Sequence, residues 1–308
     1  MGTEYASAVA VVKAMENSLF TKSDLEQFIN ARNQNEFETL INSKNAGTLT
    51  EVWDMLRTFA PDSKELEILL YRNDFHNLKA VLKAMISGRE PDNYFIEPSN
   101  VELDDLKEAF RTKDMDILPD YMREIAIQAY EILTTTLDGQ LVDSLIDTTC
   151  MTTMQKSADN SGSDFMRKYV NLITVCADIK TAYRCSKMNK QRAFLEVAIC
   201  GSPELDKESL IRSALSGTET LLSFLEHTTY GELAILLKES PAQFEKRCDD
   251  IITELAETAR MKAFGIEPLV AYYIAKEAEI KNLRIISVCR ESGADKETIM
   301  ERLRELYV

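Results

Sequence analysis

The sequence predicts an all-α protein, and three observations carry that expectation. Helix breakers are scarce: 308 residues hold only 10 Gly and 7 Pro. Leu, Ala, Glu and Lys are abundant, and apolar residues recur at helical rather than two-residue spacing. The one locally strand-like patch, the Thr-rich run Thr148–Thr153, is short. A hydrophobic content of 45% beside 28% charged residues is that of a globular chain, long enough for one large core or two to three smaller ones.

The elements follow in order. Ala6–Ala14 reads as a short amphipathic helix; it follows Glu4, carries Lys13 and lacks the basic leader of a signal peptide. Helices are expected over Lys22–Ala31 and Glu36–Asn42, with Thr21 and Ser23 as cap candidates. Ser63–Ser87 reads as one long helix between Pro61 and Gly88, with Asp62 and Glu65 as a capping-box variant. Beyond the polar, Pro-bearing stretch Gly88–Asn100, helices are expected over Asp104–Arg111 and Tyr121–Thr134. Ala158–Ser163 reads as a loop, with Ser163 or Asp164 capping the helix that follows. The turn Gly201-Ser202-Pro203 precedes helices over Lys207–Ser216 and Glu219–His227, separated at Gly217. Phe244, Cys248, Ile251, Ile252, Leu255 and Ala259 share helical spacing and mark another long helix.

The last helix has both ends marked. Pro268 suits a first turn, where its missing N–H is no loss, and Gly293 suits the left-handed residue past the end. Arg290 places a cation in the last turn. Between Pro268 and Arg290 lie about 34 Å of helix. Leu269, Tyr273, Ile280, Leu283 and Ile286 form an apolar stripe, leaving Lys276, Glu277, Lys281 and Arg284 to face outward, with Glu277 and Lys281 as an i,i+4 pair.

A motif recurs in each third of the chain: Phe75-His76-Asn77-Leu78 with Val81, Tyr169-Val170-Asn171-Leu172 with Val175, and Ile280-Lys281-Asn282-Leu283 with Ile286. The period is too long for a small solenoid and suits a domain of roughly 100 residues copied three times. The domains expected are 1–100, 101–203 and 204–308. Asn is a poor interior helix residue, so three at matched places imply a task. A side-chain hydrogen bond fixing a neighbouring segment is one reading, and direct contact with a partner is the other.

Enzymatic motifs are not found. His76 and His227 stand alone, and no C-x-x-C, H-E-x-x-H or Glu-x-x-His pair supplies a metal site. Phosphate-cradling glycine loops and the G-x-S-x-G elbow are missing too. The acidic clusters Glu102, Asp104, Asp105, Glu108 and Asp249-Asp250 read as solvated helix faces. Catalytic residues, cofactors and metals are therefore expected to be none. The six cysteines, at 150, 176, 185, 200, 248 and 289, read as reduced, buried small hydrophobes, which implies the cytoplasm. No window approaches the ~18 uninterrupted apolar residues of a membrane span. The formal charge of −15 argues against nucleic acid and against direct docking on anionic lipid. It fits either a basic protein partner or plain solubility.

The string Ala275-Lys276-Glu277-Ala278-Glu279-Ile280-Lys281-Asn282-Leu283-Arg284-Ile285-Ile286 closely resembles the C-terminal helix of one family. That family is the C subunit of the prokaryotic V-type ATPases and ATP synthases, whose counterpart in the vacuolar enzymes is the d subunit. Leu225-Glu226-His227-Thr228-Thr229-Tyr230 and Leu19-Phe20-Thr21-Lys22-Ser23-Asp24-Leu25 are similar in layout, and the middle third departs most. The resemblance implies three similar helical domains about a pseudo-three-fold axis, forming a funnel. It implies a non-catalytic rotor part, cytoplasmic and peripheral to the membrane. That part would receive the basic surface of the central-shaft subunits and rest on the proteolipid ring. The competing expectation is a freestanding helical adaptor or regulatory protein.

Overall fold

The computed structural model describes residues 5–44, 47–60 and 64–308. Among them the fold is helical, with one isolated β-bridge between Ser202 and Leu205 and no strand. The α-helices are α1 (Ala6–Met15), α2 (Lys22–Asn30), α3 (Gln34–Ser43), α4 (Leu49–Phe59), α5 (Tyr71–Ser87), α6 (Leu103–Thr112), α7 (Asp120–Thr136) and α8 (Gly139–Asn160). They continue with α9 (Asp164–Lys187), α10 (Arg192–Ala198), α11 (Lys207–Leu215), α12 (Thr218–Glu226), α13 (Gly231–Glu239), α14 (Pro241–Glu257), α15 (Glu267–Glu291) and α16 (Lys296–Arg302). The chain divides into two compact units, residues 1–63 with 230–308, and residues 64–229.

The first unit is built around α15. Pro268 opens it and Gly293, at φ 73°, follows its end, as the sequence implies. The apolar stripe expected on one face is instead an all-round burial in the first half: every residue from Pro268 to Lys276 is buried. Helices α1, α4 and α14 pack against this stretch from different sides, so no face is left to water. Lys276 is therefore not an outward residue. Lys281 and Arg284 do face out, and Lys281 pairs with Asp249 of α14. Toward its C-terminus α15 meets α2, α3 and α16 in a core of Phe20, Phe28, Phe37, Ile286, Ile299 and Leu306. Thr21 starts α2 with a reciprocal capping box to Asp24, and Thr48 starts α4 likewise with Glu51. Arg290 donates to the Ile29 carbonyl at 2.9 Å, so its charge sits on the C-terminal end of α2 as well as on that of its own helix.

The second unit centres on the antiparallel pair α8 and α9, joined by the turn at 161–163. Its Gly162 has φ 69°. Ser163 caps α9 by accepting from the Met166 N–H. The loop expected at 158–163 is thus shorter, because Ala158 is buried and stays helical. The strand-like Thr run is also inside α8. Thr149 and Thr152 turn their hydroxyls back to the carbonyls four residues earlier, at 2.8 and 3.1 Å, which satisfies them within the helix. Helix α5 lies antiparallel on α8, since Lys79 pairs with Asp147 and Lys83 with Asp143. The helix expected over 63–87 starts only at Tyr71. Lys64–Leu70 is a 3-10 stretch in which Leu66, Ile68, Leu69 and Leu70 are all buried, a pattern too crowded for one α-helical face. The Asp62–Glu65 capping box lies outside the described residues.

All six cysteines are unpaired thiols. Five are buried, and Cys200 is half-buried. Burial pushes the Cys150 thiol up to about 12. No helix among the described residues is long and apolar enough to cross a membrane.

Candidate functional site

No group of three His, Cys, Asp or Glu side chains among the described residues is placed to hold a metal ion. His76 Nε2 lies 3.1 Å from the Tyr94 carbonyl and His227 Nδ1 lies 2.7 Å from the Ser223 carbonyl, so each ring is engaged locally with backbone. The fold buries polar side chains on α5, α9, α14 and α15. On α5, α9 and α15 they hold the backbone of a segment that returns about twenty residues later.

On α5, Asn77 is fully buried. Its amide donates to the Ile96 carbonyl at 3.0 Å and accepts the Ile96 N–H at 2.8 Å. One turn earlier, Asp74 Oδ1 accepts the N–H groups of Asn100 at 2.7 Å and Val101 at 3.3 Å. Its Oδ2 accepts from Asn100 Nδ2 and from the Tyr121 hydroxyl, both at 2.8 Å. On α15, Asn282 repeats the two-bond grip on Arg304, donating to its carbonyl at 3.1 Å and accepting its N–H at 2.8 Å. Asp250 of α14 accepts the next N–H, of Glu305, at 2.8 Å. On α9 the grip belongs to Asp178, which accepts the Cys200 N–H at 2.9 Å and the Gly201 N–H at 2.7 Å.

The grip on α9 thus comes from a residue that the sequence motif does not contain. Asn171 is half-buried two turns earlier on α9, and the residue gripping the return segment is Asp178. A carboxylate suits that segment, which presents two N–H donors rather than one N–H and one carbonyl. A signal was available: Asp178 stands 101 residues after Asn77 and 104 before Asn282, a more even spacing than Asn171 provides. Gly201 closes this turn at φ 82°, and a Cβ there would stand 2.8 Å from Lys207 Cβ.

Burial raises the carboxyl pKa of Asp74, Asp178 and Asp250, against the hydrogen bonds that favour their charged forms; for Asp178 the result is about 6. Asp249-Asp250 is accordingly no solvated face. Asp250 is 4% exposed, and Asp249 accepts from Arg304 Nε at 2.7 Å. The other acidic cluster is on the surface, with Glu108 paired to Arg111.

A second buried polar group lies on α15. Lys276 and Glu279 are 4% and 2% exposed at their side chains and pair at 2.8 Å. Glu279 also accepts the Phe20 N–H, and the Lys276 ammonium lies 5.6 Å from the Phe20 ring centre. Burial raises the Glu279 carboxyl, while Lys276 and the Phe20 N–H oppose the shift. The pair thus fastens the entry to α2 onto α15. Each of these groups is engaged with backbone or with a neighbouring side chain.

The sequence profile of the ATP synthase (C/AC39) subunit family matches residues 38–302. The chain belongs to that family. Among its relatives, the C subunit of the V-type sodium ATPase of Enterococcus hirae is 26% identical over 84% of this chain and 80% of its own length. The C subunit of the A-type ATP synthase of Methanocaldococcus jannaschii is 22% identical over 92% of this chain and 82% of its own length. The C subunit of the V-type ATP synthase of Thermus thermophilus is 23% identical over 77% of this chain and 73% of its own length. The matched span holds Asp74, Asn77, Asp178, Glu279 and Asn282, so it contains all the gripping residues of the long helices.

Proposed function

We propose that this protein is the non-catalytic coupling part of a rotary V/A-type ATPase, joining the central shaft of the soluble head to the proteolipid ring. The observation that carries the reading is the family match across residues 38–302. A coupling part must carry torque without yielding. Return segments locked to long helices by buried two-bond grips suit that demand, because each grip satisfies backbone groups that would otherwise need water. The even spacing of Asn77, Asp178 and Asn282 supports three similar domains, 1–100, 101–203 and 204–308, and it is the resemblance to the family that implies their arrangement about a pseudo-three-fold axis as a funnel. In this reading the protein is cytoplasmic and reaches the membrane through its partners.

Charge suggests the kind of contact made with the shaft. A net charge of −15 leaves acidic side chains to face basic residues of the shaft subunits, and a polar socket of this kind separates without exposing a sticky apolar patch. The test is affinity for the cognate shaft subunits as salt rises. Screening shortens from ~10 Å at 0.1 M to ~3 Å at 1 M, so affinity should fall steeply. Affinity that stays flat across that range would contradict the acidic socket.

A further inference from the structure

The unit spanning residues 64–229 carries a groove of about 610 Å³ whose lining holds three cationic side chains and no carboxylate. Its floor is apolar, Ala80 and Ala84 of α5 beside Leu133 of α7, and Leu137 just past the end of α7 stands at its edge. Its rim is cationic, with Lys79, Lys83 and Arg89, and His76 at one side. Asp147 and Asp143 of α8 pair with Lys79 and Lys83. Arg89 has no ion pair among the described residues. Gly88 holds it in place: the glycine adopts φ 65° and the Arg89 N–H bonds back to the Ala84 carbonyl, so the guanidinium is presented from a fixed turn.

Leu137 is the second observation. It is 71% exposed, and it adopts φ 55° at the end of α7. Such a backbone disfavours any residue with a Cβ, and Leu gains nothing there by burial. Glycine would serve the turn better. Ile86, 47% exposed, extends the apolar edge on the α5 side. A strained, exposed Leu and an exposed Ile flanking an apolar floor are features of a surface that something covers.

We infer that this groove docks an acidic amphipathic helix of a protein partner, its apolar face on Ala80, Ala84 and Leu137 and a flanking carboxylate on Arg89. Helix-in-groove recognition needs a concave apolar floor with charges at its edge. An anionic membrane is the less suitable occupant, because a chain of net charge −15 is repelled by it and the apolar surface here is concave. The shaft socket proposed above uses acidic residues, so the groove takes a different partner, and either reading can fail without the other.

The test uses the full chain and a synthetic 18-residue peptide with Leu at helical i, i+3, i+4, i+7 spacing flanked by Glu, followed by methyl NMR. Perturbations should concentrate on Ile86, Leu133 and Leu137. Arg89→Glu should weaken binding about tenfold. The same change should improve binding of a Lys-flanked version of the peptide. Leu137→Gly should raise the melting temperature while weakening binding, a combination that misfolding cannot produce. Perturbations elsewhere, an affinity unmoved by Arg89→Glu, or equal binding of the two peptides would overturn the proposal. Binding to phosphatidylserine-containing vesicles that Arg89→Glu abolishes, with no peptide binding, would also overturn it in favour of a lipid surface.

Discussion

Asp178 shows how one buried side chain ties the fold to pH. Its carboxyl titrates at about 6 in the folded chain, against an ordinary value of 3.8. The native state therefore holds an extra proton between those values, and this group's contribution to stability falls as pH rises through the window. Of order 3 kcal/mol is involved. In Asp178→Asn that dependence should vanish: the difference in urea midpoint between variant and parent should change from pH 4 to 6.5 and be flat above it. Glu279 gives a sharper residue-scale test. Glu279→Ala strands the Lys276 ammonium in the core and should cost roughly 3 to 5 kcal/mol by denaturant unfolding. Lys276→Met with Glu279→Leu removes both charges and should cost much less. Neither residue was legible as buried from the sequence, where a charge on a helix counts as outward. Asn77 and Asn282 were legible, because an amide in a helix interior is costly unless it has a task. Asp178 was not, because the Asn-Leu pairing points to Asn171, whereas a carboxylate serves when the partners are two N–H groups.

At the scale of elements, the helices were readable from their caps and periods, and the departures share a cause. Thr148–Thr153 looked strand-like by propensity, but Thr hydroxyls bonded to carbonyls a turn back let α8 continue through it. The 3-10 stretch before α5 and the all-round burial of Pro268–Lys276 depend on which neighbours pack there, and local sequence does not contain that. The return segments are where elements meet, and they should open first when a grip is lost. Asn282→Ala should cost about 2 to 4 kcal/mol by leaving the Arg304 N–H and carbonyl unpaired. Hydrogen exchange at the Arg304 amide should accelerate well beyond that at Ile96, where Asn77 is intact. Gly201→Ala should destabilise by roughly 1 to 3 kcal/mol, since the added methyl meets Lys207 in a backbone that L-residues avoid. A variant as stable as the parent would show that the turn relaxes freely.

At the scale of the molecule, what was legible was the family and the helical class. Its long helices and buried polar grips suit the coupling part proposed above. The proposed role makes one demand that an adaptor or a stray helical protein does not meet. The direct measurement is ATP-driven ion uptake by vesicles holding the rotary complex stripped of this protein, recorded together with ATP hydrolysis before and after the purified chain is added back. The account predicts that the stripped complex hydrolyses ATP without moving ions, and that adding one chain per complex restores uptake in proportion to hydrolysis. Uptake that is already coupled in the stripped complex, or that stays absent although the chain has bound, would contradict it.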